Sequence, residues 1–125
     1  MFSIDSRSRV PIYEQLGQNI ISLVASGALD ADDQLPSVRT LARELGVNPN
    51  TVQKAYSEME SKGILYQAAG RGSFVAPTEA LMHALAEQRV AALAEPLREA
   101  KRSGVAKERV ILLVEKIYGG DDDND

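Results

Sequence analysis

The chain has no cysteine among its 125 residues. That excludes disulfides and thiolate metal sites and agrees with a reducing, cytoplasmic compartment. It has a single histidine, His83, so a multi-histidine metal site within one chain is excluded. No apolar run approaches the roughly 18–20 residues a membrane-spanning helix requires. The opening Met1-Phe2-Ser3-Ile4-Asp5 has neither a basic stretch nor a long apolar segment, so no secretory leader is expected. No nucleophile–base pair and no metal constellation stands out. Neither an enzyme nor a cofactor is therefore expected.

Net positive charge is missing too: the formal charge is −4. For a nucleic-acid partner the distribution matters more than the sum. Residues 34–72 carry Arg39, Arg43, Lys54, Lys62 and Arg71 against Glu44, Glu58 and Glu60. Much of the acid lies elsewhere, in Asp30, Asp32 and Asp33 and in Asp121, Asp122, Asp123 and Asp125. A weakly basic face on an acidic protein can bind DNA, with modest and salt-sensitive non-specific affinity.

What the sequence has is periodicity. After a polar segment 1–10, where Arg7 and Arg9 could reach toward a phosphate, Pro11 starts a helix with Ile12, Leu16, Ile20, Leu23 and Val24 on one face. Gly27 ends it, and Ala28 to Gln34 reads as an acidic loop. Ser37 is a natural N-cap for a short second helix whose apolar set is Val38, Leu41, Ala42 and Leu45. Gly46 suits the left-handed end of that helix. Asn48 suits the cap of the next, and Pro49 its first helical position. Val52, Ala55, Tyr56 and Met59 repeat at i, i+3, i+4, i+7, leaving Asn50, Thr51, Gln53, Lys54 and Ser57 facing outward. A polar, hydrogen-bonding outer face is what a major-groove recognition helix needs. Ile64 to Gln67 and Ser73 to Ala76 flank a glycine-bounded tip and predict a hairpin. The expected class is mainly α (α+β): a winged helix-turn-helix over 1–77, then a short two-helix dimerisation arm over 78–118, then a disordered acidic tail over 119–125. One arm helix is expected from Glu79 to about Ser103, kinked at Pro96.

Two segments resemble the GntR family of bacterial transcription regulators: Pro11-Ile12-Tyr13-Glu14-Gln15-Leu16, and the run from Leu35-Pro36-Ser37-Val38-Arg39 through Gly46-Val47-Asn48-Pro49-Asn50-Thr51-Val52-Gln53-Lys54-Ala55-Tyr56. The Gly70-Arg71-Gly72 tip with Phe74-Val75 continues the match. The remainder is similar to the YtrA-type subfamily, whose C-terminal region mainly dimerises. The resemblance implies DNA contacts from Ser37, Arg39 and Arg43 on the second helix, and from Asn48, Asn50, Thr51, Gln53 and Lys54 at the recognition helix. Asn48 is expected to cap more than to touch bases. Arg71 and Gly72 belong to the wing contact. Many family members carry an arginine in the first turn of the recognition helix, where this chain has Pro49 and Asn50, so no base code follows. The subfamily resemblance also implies a transporter operon as target.

The region after Pro77 is too short for a separate ligand-binding domain. Two amphipathic helices cannot bury their apolar faces alone. A two-fold homodimer through Leu81, Leu85, Leu93, Leu97, Val110, Leu113, Val114 and Ile117 is expected. Its symmetry calls for an inverted-repeat operator on double-stranded DNA. Two alternatives remain open: a small-molecule effector bound near Leu81, Leu85 and His83, and a winged-helix adaptor that binds protein rather than DNA.

Overall fold

The computed structural model describes residues 1–121. Those residues form six α-helices and a hairpin: α1 (Ile12–Ala25), α2 (Val38–Leu45), α3 (Pro49–Ser61), β1 (Leu65–Ala68), β2 (Gly72–Val75), α4 (Glu79–Ala92), α5 (Ala94–Arg102) and α6 (Lys107–Lys116). The chain folds as two compact units, divided between Gln88 and Arg89, within α4.

The first unit is a winged helix-turn-helix. Its core joins Leu16 and Ile20 of α1, Leu41 and Ala42 of α2, and Val52, Ala55, Tyr56 and Met59 of α3 to Leu35, Ile64, Leu65, Val75 and Leu81. Each helical set is spaced by three and four residues, so each helix turns one stripe inward. Helix α1 approaches α3 closely at Gly17, where a β-carbon would lie 2.8 Å from the Met59 Cε. Tyr56 is buried, and its hydroxyl donates to the Pro36 carbonyl at 2.7 Å, tying α3 to the approach of α2. Burial pushes that hydroxyl far above the usual phenol range, so it acts only as a neutral donor. Tyr56→Phe strands the Pro36 carbonyl. A loss of about 1 kcal/mol in urea-melt stability is expected, with DNA affinity retained.

Strands β1 and β2 pair antiparallel with Leu65 opposite Val75 and Ala68 opposite Gly72. The segment expected as an acidic loop also bonds to β2, with an isolated bridge between Gln34 and Phe74. The Asp32 N–H donates to the Val75 carbonyl, Val75 N–H to the Asp33 carbonyl, and Leu35 N–H to the Ser73 carbonyl, at 2.7–2.9 Å. These bonds brace a two-stranded hairpin that is marginal on its own. Thr78 ties the end of α3 to the start of α4. Its hydroxyl donates to the Gly63 carbonyl at the end of α3, and its oxygen accepts from the Leu81 N–H at the start of α4.

The expected single arm helix is two. It divides at Leu93, between α4 and α5, rather than bending at Pro96. Proline lacks the N–H that would reach back four residues and its ring crowds that carbonyl. The carbonyl concerned is that of Ala92, the last residue of α4, and the break falls there. In the second unit Glu95 holds Arg98 at 3.2 Å and Arg102 at 2.8 Å. These pairs are exposed and add little stability. Ile117–Asp121 closes α6 in a wide turn with Gly120 at φ 98°. The disorder expected over 119–125 concerns, for 122–125, positions outside the described residues.

Candidate nucleic-acid interface

The helix-turn-helix is fixed by its caps. The Ser37 Oγ accepts from the Thr40 N–H at 3.1 Å and donates to the Thr40 Oγ1 at 2.9 Å. Gly46 ends α2 in the left-handed conformation, φ 69° and ψ 34°, and sends its N–H to the Ala42 carbonyl. The Asn48 Oδ1 accepts from the Asn50 N–H at 2.8 Å, with Pro49 behind it in the first helical position. The turn between α2 and α3 is therefore three residues long and held at both ends. Ser37 and Asn48, both among the expected DNA contacts, are engaged in setting helix starts.

With α3 so placed, Asn50, Gln53, Lys54 and Ser57 form an exposed polar stripe opposite the buried Val52, Ala55, Tyr56 and Met59. Thr51 is half-buried at the edge of this stripe. The Gln53 Nε2 donates to the Ser57 Oγ at 3.0 Å, which orients the amide along the helix. Arg39 stands exposed in the first turn of α2 and Arg43 one turn further on the same side. Among the described residues neither has a carboxylate partner, nor do Lys54 and Arg71. Four cations left unpaired in one unit are available to phosphates.

The wing is braced more firmly than its glycines suggest. The Arg71 N–H donates to the Ala68 carbonyl at 2.9 Å across a turn in which Gly70 has φ 73°. Gly72 has φ 116°, and a β-carbon there would lie 2.9 Å from the Gln34 Nε2. That same nitrogen donates to the Arg71 carbonyl at 2.6 Å. Below the tip, the rings of Tyr66 and Phe74 stack with centroids 5.5 Å apart. The Tyr66 hydroxyl donates to the Asp32 Oδ1 at 2.7 Å. That bond raises the Tyr66 hydroxyl above its ordinary range, while the nearby Arg71 guanidinium acts against it. Gln34 and Asp32 thus aim the wing, a role that composition alone did not signal.

Gln15 is the one buried polar side chain of the first unit's core region. Its Oε1 accepts from the Asp5 N–H at 2.7 Å, and its Nε2 donates to the Asp5 and Val10 carbonyls. The Asn19 Oδ1 accepts from the Ser3 N–H. The N-terminal segment is therefore fastened to α1, with Arg7 and Arg9 exposed on it.

The apolar residues expected to associate are of two kinds. Leu81 is 5% exposed and belongs to the core of its own unit, with Leu85 half-buried against that core. In the second unit, Leu93, Leu97, Leu113, Val114 and Ile117 are 42–57% exposed and Val110 is half-buried. Ile111 and Leu112 are exposed as well, so apolar surface wraps more of α6 than a single stripe. No helix among the described residues is long and apolar enough to cross a membrane.

Residues 12–75 match the family model for bacterial regulatory proteins, gntR family. The HTH-type transcriptional repressor YtrA of Bacillus subtilis (strain 168) is 41% identical over 99 residues, which are 79% of this chain and 75% of that protein. Among solved structures, a transcriptional regulator from Oenococcus oeni superposes with a TM-score of 0.69 at 34% identity, covering 94% of this chain and 99% of that one. AraR(DBD), solved in complex with operator ORX1, superposes with a TM-score of 0.53 at 32% identity, covering 59% of this chain and 92% of that one.

Proposed function

We propose, from the premise that this chain belongs to the gntR family of bacterial regulatory proteins, that it is a DNA-binding transcriptional repressor acting as a homodimer on an inverted-repeat operator. The observation that carries this reading is the exposed stripe Asn50, Gln53, Lys54 and Ser57 on a helix capped at its start and packed by its other face. Asn50 and Gln53 can bond adenine edges in the major groove. Arg39, at the start of α2, and Arg71, at the wing tip, neutralise phosphates and set the register. Similarity to a repressor named YtrA and to an operator-bound AraR domain supports the same reading. One weakly basic winged helix binds poorly, whereas two joined by their arms gain avidity. A dimer seated across a promoter would exclude polymerase in the cytoplasm, and a transporter operon is the target we propose.

Gel-shift titration with mutated protein tests the assignments. Arg39→Ala should weaken binding to all sequences alike. Gln53→Ala should cost about 1–3 kcal/mol at one base position and relax preference there. Unchanged operator affinity in both variants would show the assignments to be wrong.

A second reading, control by a small molecule, is favoured by a cavity of about 760 Å³ lined by Phe2, Leu23, Leu29, Gln34, Leu35 and Leu45. The site expected from sequence is less suitable: Leu81 is core, and His83 is exposed beside Glu87 at 3.9 Å. An effector must bind the DNA-competent and incompetent states differently. Gln34 offers a means, since it lines the cavity and holds the Arg71 carbonyl. Thermal shift against a metabolite panel, followed by operator release, tests this.

A further inference from the structure

The recognition helix carries one lysine, and its side chain does not project straight outward. The Lys54 ammonium lies 3.9 Å from the centroid of the Tyr13 ring on α1. We propose that Tyr13 is a positioning residue of the DNA interface, holding Lys54 for a backbone phosphate beside the major groove, so that Lys54 anchors the duplex and reads no base. This rests on the DNA-binding reading above and revises the role of one residue within it.

The separation is well inside the roughly 6 Å over which a ring face attracts a cation. The ring occupies one side of the ammonium and leaves N–H donors on the other. Tyr13 is half-buried and packs against the core, and α1 is itself seated on α3 at the Gly17–Met59 approach. The platform is therefore fixed. Lys54 follows Asn50 by one turn of α3, but its ammonium is drawn toward α1, to the border of the recognition stripe. At that edge a groove-inserted helix meets phosphates rather than base edges. Lysine suits the task, being a compact point charge without the planar fork that reads guanine bidentately. Lys54 has no carboxylate partner among the described residues, so its charge is not already neutralised. Holding a long flexible side chain before DNA arrives also lowers the ordering cost of the contact.

The test uses the full chain, a duplex selected from random DNA, its single-base variants and a scrambled duplex, each titrated at several salt concentrations. Lys54→Ala should weaken binding to all of them by a similar factor, about fivefold, and lower the salt slope by about 0.9, the signature of one lost phosphate. Tyr13→Leu should reproduce about two- to fivefold of that loss, Tyr13→Phe should restore it, and Tyr13→Leu should cost nothing further in a Lys54→Ala background. In the free protein, the Lys54 ε-methylene protons should resonate upfield and shift back in Tyr13→Leu. This readout does not depend on DNA, and Tyr13→Phe guards against a folding defect. The proposal is overturned if Lys54→Ala changes preference at one base pair with the salt slope intact. It is equally overturned if Tyr13→Leu binds as the native chain does. If the native chain enriches no duplex at all, the DNA-binding reading fails first, and the proposal with it.

Discussion

Replacing Leu113 and Val114 together by glutamate is expected to leave a folded monomer that binds its operator about a hundredfold or more weakly than the native chain. Both side chains are about half exposed on α6, at 57% and 48%. Neither belongs to the core cluster, so charging them should not unfold the first unit. In an associated arm the same two positions would place four carboxylates in an apolar contact, and such unpaired buried charge is strongly unfavourable. The monomer keeps its recognition helix and wing but loses the second attachment, and avidity from linked sites is worth about 10²- to 10⁴-fold. Sedimentation velocity reads the change in mass, and gel shift reads the change in affinity on the same samples. A variant that remains dimeric, or that binds as tightly as the native chain, would remove the arm from the proposed mechanism.

The second large effect concerns stability. Leu16→Ala should destabilise the first unit by about 2–5 kcal/mol, the usual range for a buried leucine truncated in a packed core. Leu16 is fully buried, and it follows Gln15, which clamps the N-terminal segment. The unit is small, and domains of this kind hold only about 5–15 kcal/mol in total. A fall in Tm of about 10 °C or more follows from the usual scaling of melting temperature with free energy. Calorimetry checks it. Leu97→Ala is the control: Leu97 is half exposed in the second unit, and its loss should leave the first unit's melting transition in place. A Leu16→Ala protein melting like the native chain would contradict the packing described.

The helix-turn-helix was legible because its signals are local. Ser37, Gly46, Asn48 and Pro49 state where helices start and stop, and the sets around Leu41 and Val52 state which face turns inward. What escaped the sequence depends on contacts between distant positions. Asp32 and Gln34 sit in a stretch whose acidic, polar composition argues against a strand, yet β2 supplies partners for its backbone and Tyr66 a partner for a carboxylate. Gln34 reaches Arg71 across 37 positions. Lys54 looked like any outward lysine until Tyr13, on another helix, was placed beneath it. Leu81 had the spacing of an arm residue, but Thr78 starts α4 against the end of α3 and Leu81 is buried as a result. The division at Leu93, by contrast, follows from counting four residues back from Pro96 and was open to the sequence all along.

In the proposed mechanism this chain reads DNA in pairs, with α3 in the groove. Selection of bound fragments from random duplex DNA by the full chain tests it most directly, because binding, sequence preference and symmetry are read in one experiment. Two matching half-sites in inverted orientation should be enriched, their centres about one helical turn or more apart. Enrichment of a single unpaired site would contradict the dimer, and no enrichment would contradict DNA recognition itself.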